Sequence, residues 1–233
     1  MIKNTTIELC CGSIEDCLIA NDLPIDRIEL NSALELGGLT VTIASLQLAK
    51  QITNKPICTM VRCRTAGFCY SELEYQSMLI DAKNLLENGA DGIVFGFLNK
   101  DNTIDINRTK TMVDLIKSYH KEAIFHKAFD DTPDKIQACK QLIDLKVDRI
   151  LTSGGPNYPH IEQGYPILKE LITKFNDQIT ILVGGGVRDY NIKEIIDNTG
   201  CTQIHMSSRY MANDNGEYAK VSKDKLIKIL NNI

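Results

Sequence analysis

No apolar run in this chain approaches the roughly 18 residues needed to span a membrane. The first residues, MIKNTTIELCCGSIED, also lack the long apolar core of a signal peptide. A cytoplasmic protein without a membrane partner is the expectation. Excess positive charge is missing too: the formal net charge is −4, and carboxylates interrupt the Lys and Arg clusters, so nucleic acid is not an expected partner. The eight cysteines, Cys10, Cys11, Cys17, Cys58, Cys63, Cys69, Cys139 and Cys201, contain no CxxC pair, which removes the zinc-ribbon and thioredoxin patterns. In a reducing compartment they are expected as free thiols, with Cys17 and Cys139 as core filler. No Ser/Pro/Gly linker or low-complexity stretch marks a boundary. With 233 residues, 43% hydrophobic and 24% charged, the chain is expected to fold as a single globular domain over 1–233.

What the sequence does have is alternation. Eight β-rich runs stand between helical patterns: TIELCC from Thr6, DRIELN from Asp26, ICTMVR from Ile57, DGIVFG from Asp91, EAIFHKA from Glu122, DRILTS from Asp148, TILVGG from Thr180 and TQIHMS from Thr202. The helical stretches carry start and stop signals. Ser13 (S-I-E-D) and Ser71 (S-E-L-E) open capping boxes, Pro133 stands at a first helical position, and Gly89 and Gly200 close helices as left-handed caps. Strict alternation implies parallel strands with right-handed crossovers, and eight such units predict an α/β fold of the (β/α)8 TIM-barrel type. The competing arrangement is a doubly wound open sheet. A shared frame supports closure: ID-R-I-E-L, AD-G-I-V-F, VD-R-I-L-T and CT-Q-I-H-M begin the even strands. In that frame Ile28, Ile93, Ile150 and Ile204 face the helices, and Glu29, Val94, Leu151 and His205 point into the barrel.

Barrel interiors are normally layers of Val, Ile and Leu, so ionisable residues inside strands call for a reason. Glu8 and Glu29 sit in the twin motifs I-E-L-C and I-E-L-N, Arg62 and Arg64 end strand 3, His126 lies in F-H-K-A-F-D with Asp130 just after strand 5, and His205 is in strand 8. Glu8, Glu29, Arg62, His126, Asp130 and His205 converging on the carboxyl ends of the strands could bind an anion and move protons. A buried ion-pair network that merely fixes the barrel is the alternative. His120 and His160, outside strands, are expected on the surface. Strand 7 runs into G-G-G-V-R-D and strand 8 into H-M-S-S, the two loops that most often hold phosphate in such barrels. Gly185, Gly186, Ser207 and Ser208 are therefore candidate anion ligands, and Ser153 and Gly154 in L-T-S-G-G-P-N offer a further loop.

These segments together resemble one family. I-E-L-C, D-R-I-E-L-N-S-A-L-E-L-G-G-L-T, M-V-R-C-R, F-C-Y-S-E-L-E, A-D-G-I-V-F-G-F-L, F-H-K-A-F-D-D-T-P-D, R-I-L-T-S-G-G, G-G-G-V and I-H-M-S-S are similar, in order and spacing, to segments of CutC proteins. The resemblance covers most of the chain from Glu8 to Ser208. It implies a barrel, a cytoplasmic location, self-association as a homo-oligomer (a dimer), and a part in copper homeostasis, with Cu(I) bound through cysteines closing strands 1 and 2. Here the first of these is Cys10 and the second position holds Asn31, a poor ligand for soft Cu(I). Further departures are Cys63 where the family usually has Pro, Thr65-Ala66 for Gly-Gly, and Lys127 for Arg.

Two functions compete. One is copper handling, with Cys10 and Cys63 as thiolate ligands of Cu(I). The other is an enzyme acting on a small phosphorylated or carboxylated metabolite by general acid/base chemistry, with copper effects indirect. Glu8, Glu29, Arg62, His126 and His205 favour the second, because hard and borderline groups are not what copper sequestration needs.

Overall fold

Eight parallel strands close into a barrel in sequence order, β1 (Thr6–Cys11), β2 (Arg27–Leu30), β3 (Ile57–Met60), β4 (Gly92–Phe95), β5 (Glu122–Phe125), β6 (Arg149–Thr152), β7 (Thr180–Val183) and β8 (Gln203–Met206), with β8 pairing back onto β1. They are wrapped by α1 (Ile14–Asn21), α2 (Ile43–Ile52), α3 (Glu72–Glu87), α4 (Ile106–Ser118), α5 (Lys135–Asp144), α6 (Tyr165–Phe175), α7 (Ile192–Thr199) and α8 (Lys223–Leu230). This is a computed structural model, and it describes residues 5–155 and 160–233. All eight expected strands form, so the open sheet is excluded. Among the described residues no helix is long and apolar enough to cross a membrane.

The repeated Asp of the even strands has a physical reason. Asp26 accepts the Ile7 N–H at 2.7 Å, Asp91 the Ile57 N–H at 2.9 Å and Asp148 the Ala123 N–H at 2.7 Å. Each therefore satisfies the first amides of the odd strand before it, where the ladder has not begun. In β8 Thr202 replaces Asp, and its backbone carbonyl takes the Thr6 N–H at 2.9 Å.

Ile28, Ile93, Ile150 and Ile204 are fully buried in the main core between strands and helices. Inside the barrel Cys58, Met60, Val94 and Ile124 pack together as an apolar sector. The lumen also holds charged pairs. Arg27 Nε donates to Glu8 Oε2 at 2.5 Å and its Nη2 to Gln203 Oε1 at 3.1 Å, while Arg149 pairs with Glu122 at 2.7 Å.

Three local expectations are adjusted. The strand expected to run on through His126 stops at Phe125, because His126 turns its ring nitrogen back to cap a 3-10 turn over Lys127–Asp131. Pro133 precedes α5 rather than opening it: Asp134 is the cap, accepting from Gln137 N at 2.9 Å. Ser71 makes the full capping box. Ser13 makes half of one, because the Asp16 carboxylate serves Gly12 N (2.9 Å) and Val221 N (2.8 Å) instead. Gly89 and Gly200 are left-handed as expected (φ 94° and 72°), and His120 and His160 are exposed. One element is new: an antiparallel hairpin of β9 (Arg209–Asn213) and β10 (Glu217–Val221), which Asp16 ties to α1 through Val221.

Candidate functional site

The carboxyl ends of the strands surround a cavity of about 550 Å³. β1 and β2 contribute Cys10 and Glu29, Asn31 directly follows β2, the segment after β3 brings Arg62 and Phe68, His126 directly follows β5, the loop after β7 supplies Gly185 and Gly186, and β8 with the hairpin and the residues between them adds His205, Ser207, Arg209, Tyr210 and Met211. A more open depression of about 690 Å³ lies at the opposite end, around the start of β6 and β7. Its charged groups neutralise one another, Lys117 with Asp148 at 2.5 Å and Arg149 with Glu122 at 2.7 Å. Barrels of this type work at the carboxyl end, and the partnerless buried groups described next lie mostly there.

A chain of hydrogen bonds and one longer ionic contact climbs from the barrel interior to the mouth. Glu8 Oε1 meets His205 Nδ1 at 2.8 Å, and His205 Nε2 stands 3.8 Å from Glu29 Oε2. That same Glu29 oxygen accepts from Asn31 Nδ2 at 2.8 Å, while Glu29 Oε1 is buried without a hydrogen-bond partner. Burial works against charge on Glu8, yet the His205 hydrogen bond and the Arg27 charge hold its carboxyl down at about 2. Burial also opposes charge on His205, and Glu29 and Glu8 overcome it, raising the imidazole above its usual value. Cys10 is pushed the other way: burial first and the Glu29 charge next hold its thiol well above the usual range.

Across the cavity, His126 Nδ1 accepts the Ala128 N–H at 3.0 Å, and its Nε2 is buried without a partner. Burial and the Arg62 charge keep the ring neutral, down to about 3. Phe68 covers it with ring centroids 4.8 Å apart. Gly96 makes room for it, since a Cβ there would come 2.6 Å from Nδ1. Arg62 is held by the carbonyl oxygens of Gly37 (3.2 Å), Gly38 (3.5 Å) and Ala66 (2.8 Å), and its Nε is a further buried, partnerless donor. Ser207 Oγ is likewise buried and unpartnered. Gly185 and Gly186 are left-handed (φ 98° and 104°).

Of the residues singled out from the sequence, Cys10, Glu29, Arg62, His126, His205, Gly185, Gly186 and Ser207 line this cavity, with Glu8 directly beneath. Asp130, Ser153, Gly154, Ser208, Cys63 and Arg64 do not. Asp130 accepts from Thr152 Oγ1 (2.5 Å), Ser153 N (3.1 Å), Ser153 Oγ (2.8 Å) and Gly155 N (3.1 Å), and pairs with Lys127. The amides expected to face an anion after β6 are therefore already taken, that of Ser153 by the Asp130 carboxylate and that of Gly154 by Thr152 Oγ1 at 2.9 Å. Pro156 and Asn157 of that loop lie outside the described residues. Ser208 Oγ donates to Ser222 O at 3.2 Å beside α8, Cys63 is half-buried against the outer core, and Arg64 pairs with Glu74 at 2.5 Å. Cys10, Glu29 and His205 place one potential metal-ligand atom each within 4.8 Å of one another. Cys63 is not part of that group. Phe68, Gly96, Tyr210 and Met211 were not singled out from the sequence, and Asn31 was noted only as the residue at the second cysteine position. For the hairpin the signal was Asn215-Gly216, a turn pair between two short runs.

Fold and site together define a (β/α)8 barrel with a polar cavity at the carboxyl ends of its strands, lined by residues with unsatisfied buried polar groups. The chain belongs to the CutC family, whose model matches residues 5–210. It is 44% identical over 207 residues to the family protein CutC of Treponema denticola, covering 89% of this chain and 82% of that one. It is 35% identical over 203 residues to the human "copper homeostasis protein cutC homolog", covering 87% and 73%. The crystal structure of a putative copper homeostasis protein CutC from Streptococcus agalactiae superposes with a TM-score of 0.81 at 30% identity, covering 86% of this chain and 97% of that one. Phosphoribosyl anthranilate isomerase from Thermococcus kodakaraensis, at 12% identity and TM-score 0.62 over 98% of each chain, shares the fold alone.

Proposed function

We propose that this CutC-family barrel acts in copper homeostasis, the role in its human relative's name, on the physical basis of a metabolite site. In this reading the mouth binds a small carboxylated or phosphorylated molecule and performs general acid/base chemistry on it. The observation that carries it is one cavity whose lining residues include four with a buried polar atom that has no protein partner, Glu29 Oε1, Arg62 Nε, His126 Nε2 and Ser207 Oγ. Each such group costs about 1–3 kcal/mol if nothing satisfies it, so four around one space are the mark of a place kept for a polar ligand. Arg62 is held by carbonyl oxygens and not by a carboxylate among the described residues. Its charge, with the Gly185 and Gly186 backbone, suits an anionic group.

Direct copper binding has its own supporting observation in the Cys10, Glu29 and His205 group, beside the thioethers of Met60 and Met206. The residues do not fit the two-thiolate Cu(I) site that the family resemblance implies. Asn31 occupies the second cysteine position, and the one thiol at the mouth is held protonated by burial and by Glu29. A thermal-shift panel of sugar phosphates and small carboxylates, run beside competition with a Cu(I) chelator, separates the two. A metabolite should stabilise wild type and Cys10→Ser alike and stabilise Glu29→Gln less, a ligand at 100 times its Kd adding about 2.7 kcal/mol. Asn31→Cys should strengthen Cu(I) retention. Tight copper binding by wild type that Cys10→Ser abolishes, with no metabolite response in any variant, would replace this reading with the copper one.

A further inference from the structure

Resting on the metabolite reading of the mouth, we infer that its ligand is an α-hydroxy carbonyl compound with an anionic tail, and that Glu29 and His126 form a base and electrophile pair that exchanges the proton beside the carbonyl. His126 supplies the electrophile. Because Nδ1 accepts the Ala128 N–H, the single proton of the neutral ring must sit on Nε2. His126 lines the cavity, and its buried Nε2–H has no acceptor in the protein. The ring cannot swing to find one, since Phe68 covers it and the Gly96 backbone and Ala128 close its other side. A neutral imidazole N–H can polarise a carbonyl oxygen and stabilise negative charge growing on it without losing its proton.

Glu29 supplies the base. Asn31 and His205 both address its Oε2, which leaves Oε1 bare. Behind it, His205 is itself held by Glu8, so the carboxylate is oriented by two further residues. The mouth thus presents a donor for a carbonyl oxygen, an acceptor for an acidic C–H, and Arg62 with the loop after β7 for an anionic tail. In the reaction, Glu29 Oε1 takes the proton from the carbon next to the carbonyl. The C–H electron pair becomes the new C=C bond, and the carbonyl π pair moves onto oxygen, which accepts the His126 Nε2–H hydrogen bond. The protonated Glu29 returns its proton to the same carbon. It can instead return it to the former carbonyl carbon, once the neighbouring hydroxyl proton has passed to the enolate oxygen. Nothing is oxidised or reduced overall, and no co-reactant is required. The neutrality that burial and Arg62 impose on His126 agrees with this role.

Two probes with the same phosphate tail test it. Phosphoglycolohydroxamate mimics the planar enediolate, and glycerol 3-phosphate has no carbonyl. Calorimetric titration of the full chain should give the hydroxamate an advantage of at least about ten-fold, equivalent to about 1.4 kcal/mol. Glu29→Gln and His126→Gln should each remove that advantage and leave glycerol 3-phosphate affinity close to wild type. Independently of any variant, ¹⁵N NMR near neutral pH should find the His126 ring neutral with its proton on Nε2. Equal affinity for the two probes, an advantage that survives in both variants, or a His126 ring protonated on Nδ1 overturns the pair. Binding of inorganic phosphate alone also overturns the pair while the anion site stands. Failure of both probes and of inorganic phosphate to bind overturns the metabolite reading together with the pair.

Discussion

Acidifying the protein from about pH 6.5 to about pH 4.5 should cost the fold about 2 kcal/mol through one residue, His126. In the folded protein its ring stays neutral down to about 3, because it is buried beside the Arg62 guanidinium, whereas an unperturbed imidazole protonates near 6.5. Between those values the unfolded chain carries a proton that the folded chain refuses. The unfolded state therefore gains as the pH falls, by up to about 1.4 kcal/mol per pH unit. Integrated over the two units named, this is about 2 kcal/mol, or a Tm shift of roughly 4–8 °C for a domain of this size. The window separates His126 from the other buried site groups. Glu8, held at about 2 against an ordinary 4.5, loses its stabilising contribution only as the pH falls below that ordinary value. His205 is raised by Glu29 and Glu8 against the effect of burial, so its contribution is present below the ordinary imidazole value and is lost only as the pH rises above it. Urea unfolding at half-unit pH steps measures the slope in wild type and in His126→Gln. Lost packing will offset the variant by a nearly constant amount, but its acid slope should be shallower by one proton. Parallel curves for the two proteins would refute the reasoning.

Two substitutions of glycine probe the walls of the site. Gly96→Ala would set a Cβ 2.6 Å from His126 Nδ1 and 2.9 Å from Ala128 Cβ, and overpacking of this kind costs about 1–3 kcal/mol; chemical denaturation should show the loss, and wild-type stability would mean the ring has room to move. Gly185→Val combines a left-handed backbone (φ 98°) with a Cβ 3.3 Å from that of Ser153, so inorganic phosphate affinity should fall at least about ten-fold. Unchanged phosphate affinity in a folded variant would remove the β7 loop from the anion site.

The barrel could be read because each strand pattern is local and the rule joining the strands is general. The repeated Asp could be seen before its purpose, since only the closed barrel brings Asp26, Asp91 and Asp148 against the first amides of β1, β3 and β5. Glu29 and His205 were found because a charged residue at a lumen position is costly enough to demand a cause. By the same two-residue period Arg27 lies on the Glu29 face, and that signal was there to use. Asp130 was different. Its partners Thr152 and Ser153 are more than twenty residues further on, so no local pattern separates a carboxylate that pins a loop from one that meets a ligand. The β9–β10 hairpin was missed because it is largely exposed and so carries little of the burial pattern that marks the barrel strands.

Asn31 is where the copper and metabolite readings diverge, and one position changes three things at once. It removes the second soft ligand that the family resemblance implies. Its Nδ2 donates to Glu29 Oε2 at 2.8 Å and lies 3.6 Å from Cys10 Sγ; a thiol, a weak donor, could not hold the carboxylate in the same way. The clamped Glu29 carboxylate in turn helps to hold the Cys10 thiol above its usual range, which lowers its worth as a soft-metal ligand. The turn opposite is shaped to this amide: Gly38 is left-handed (φ 85°), and a Cβ there would fall 2.5 Å from Asn31 Oδ1. Here the neighbours of Asn31 work together to hold an oriented carboxylate, and that is the condition under which a base on one wall can act with a neutral imidazole on the other.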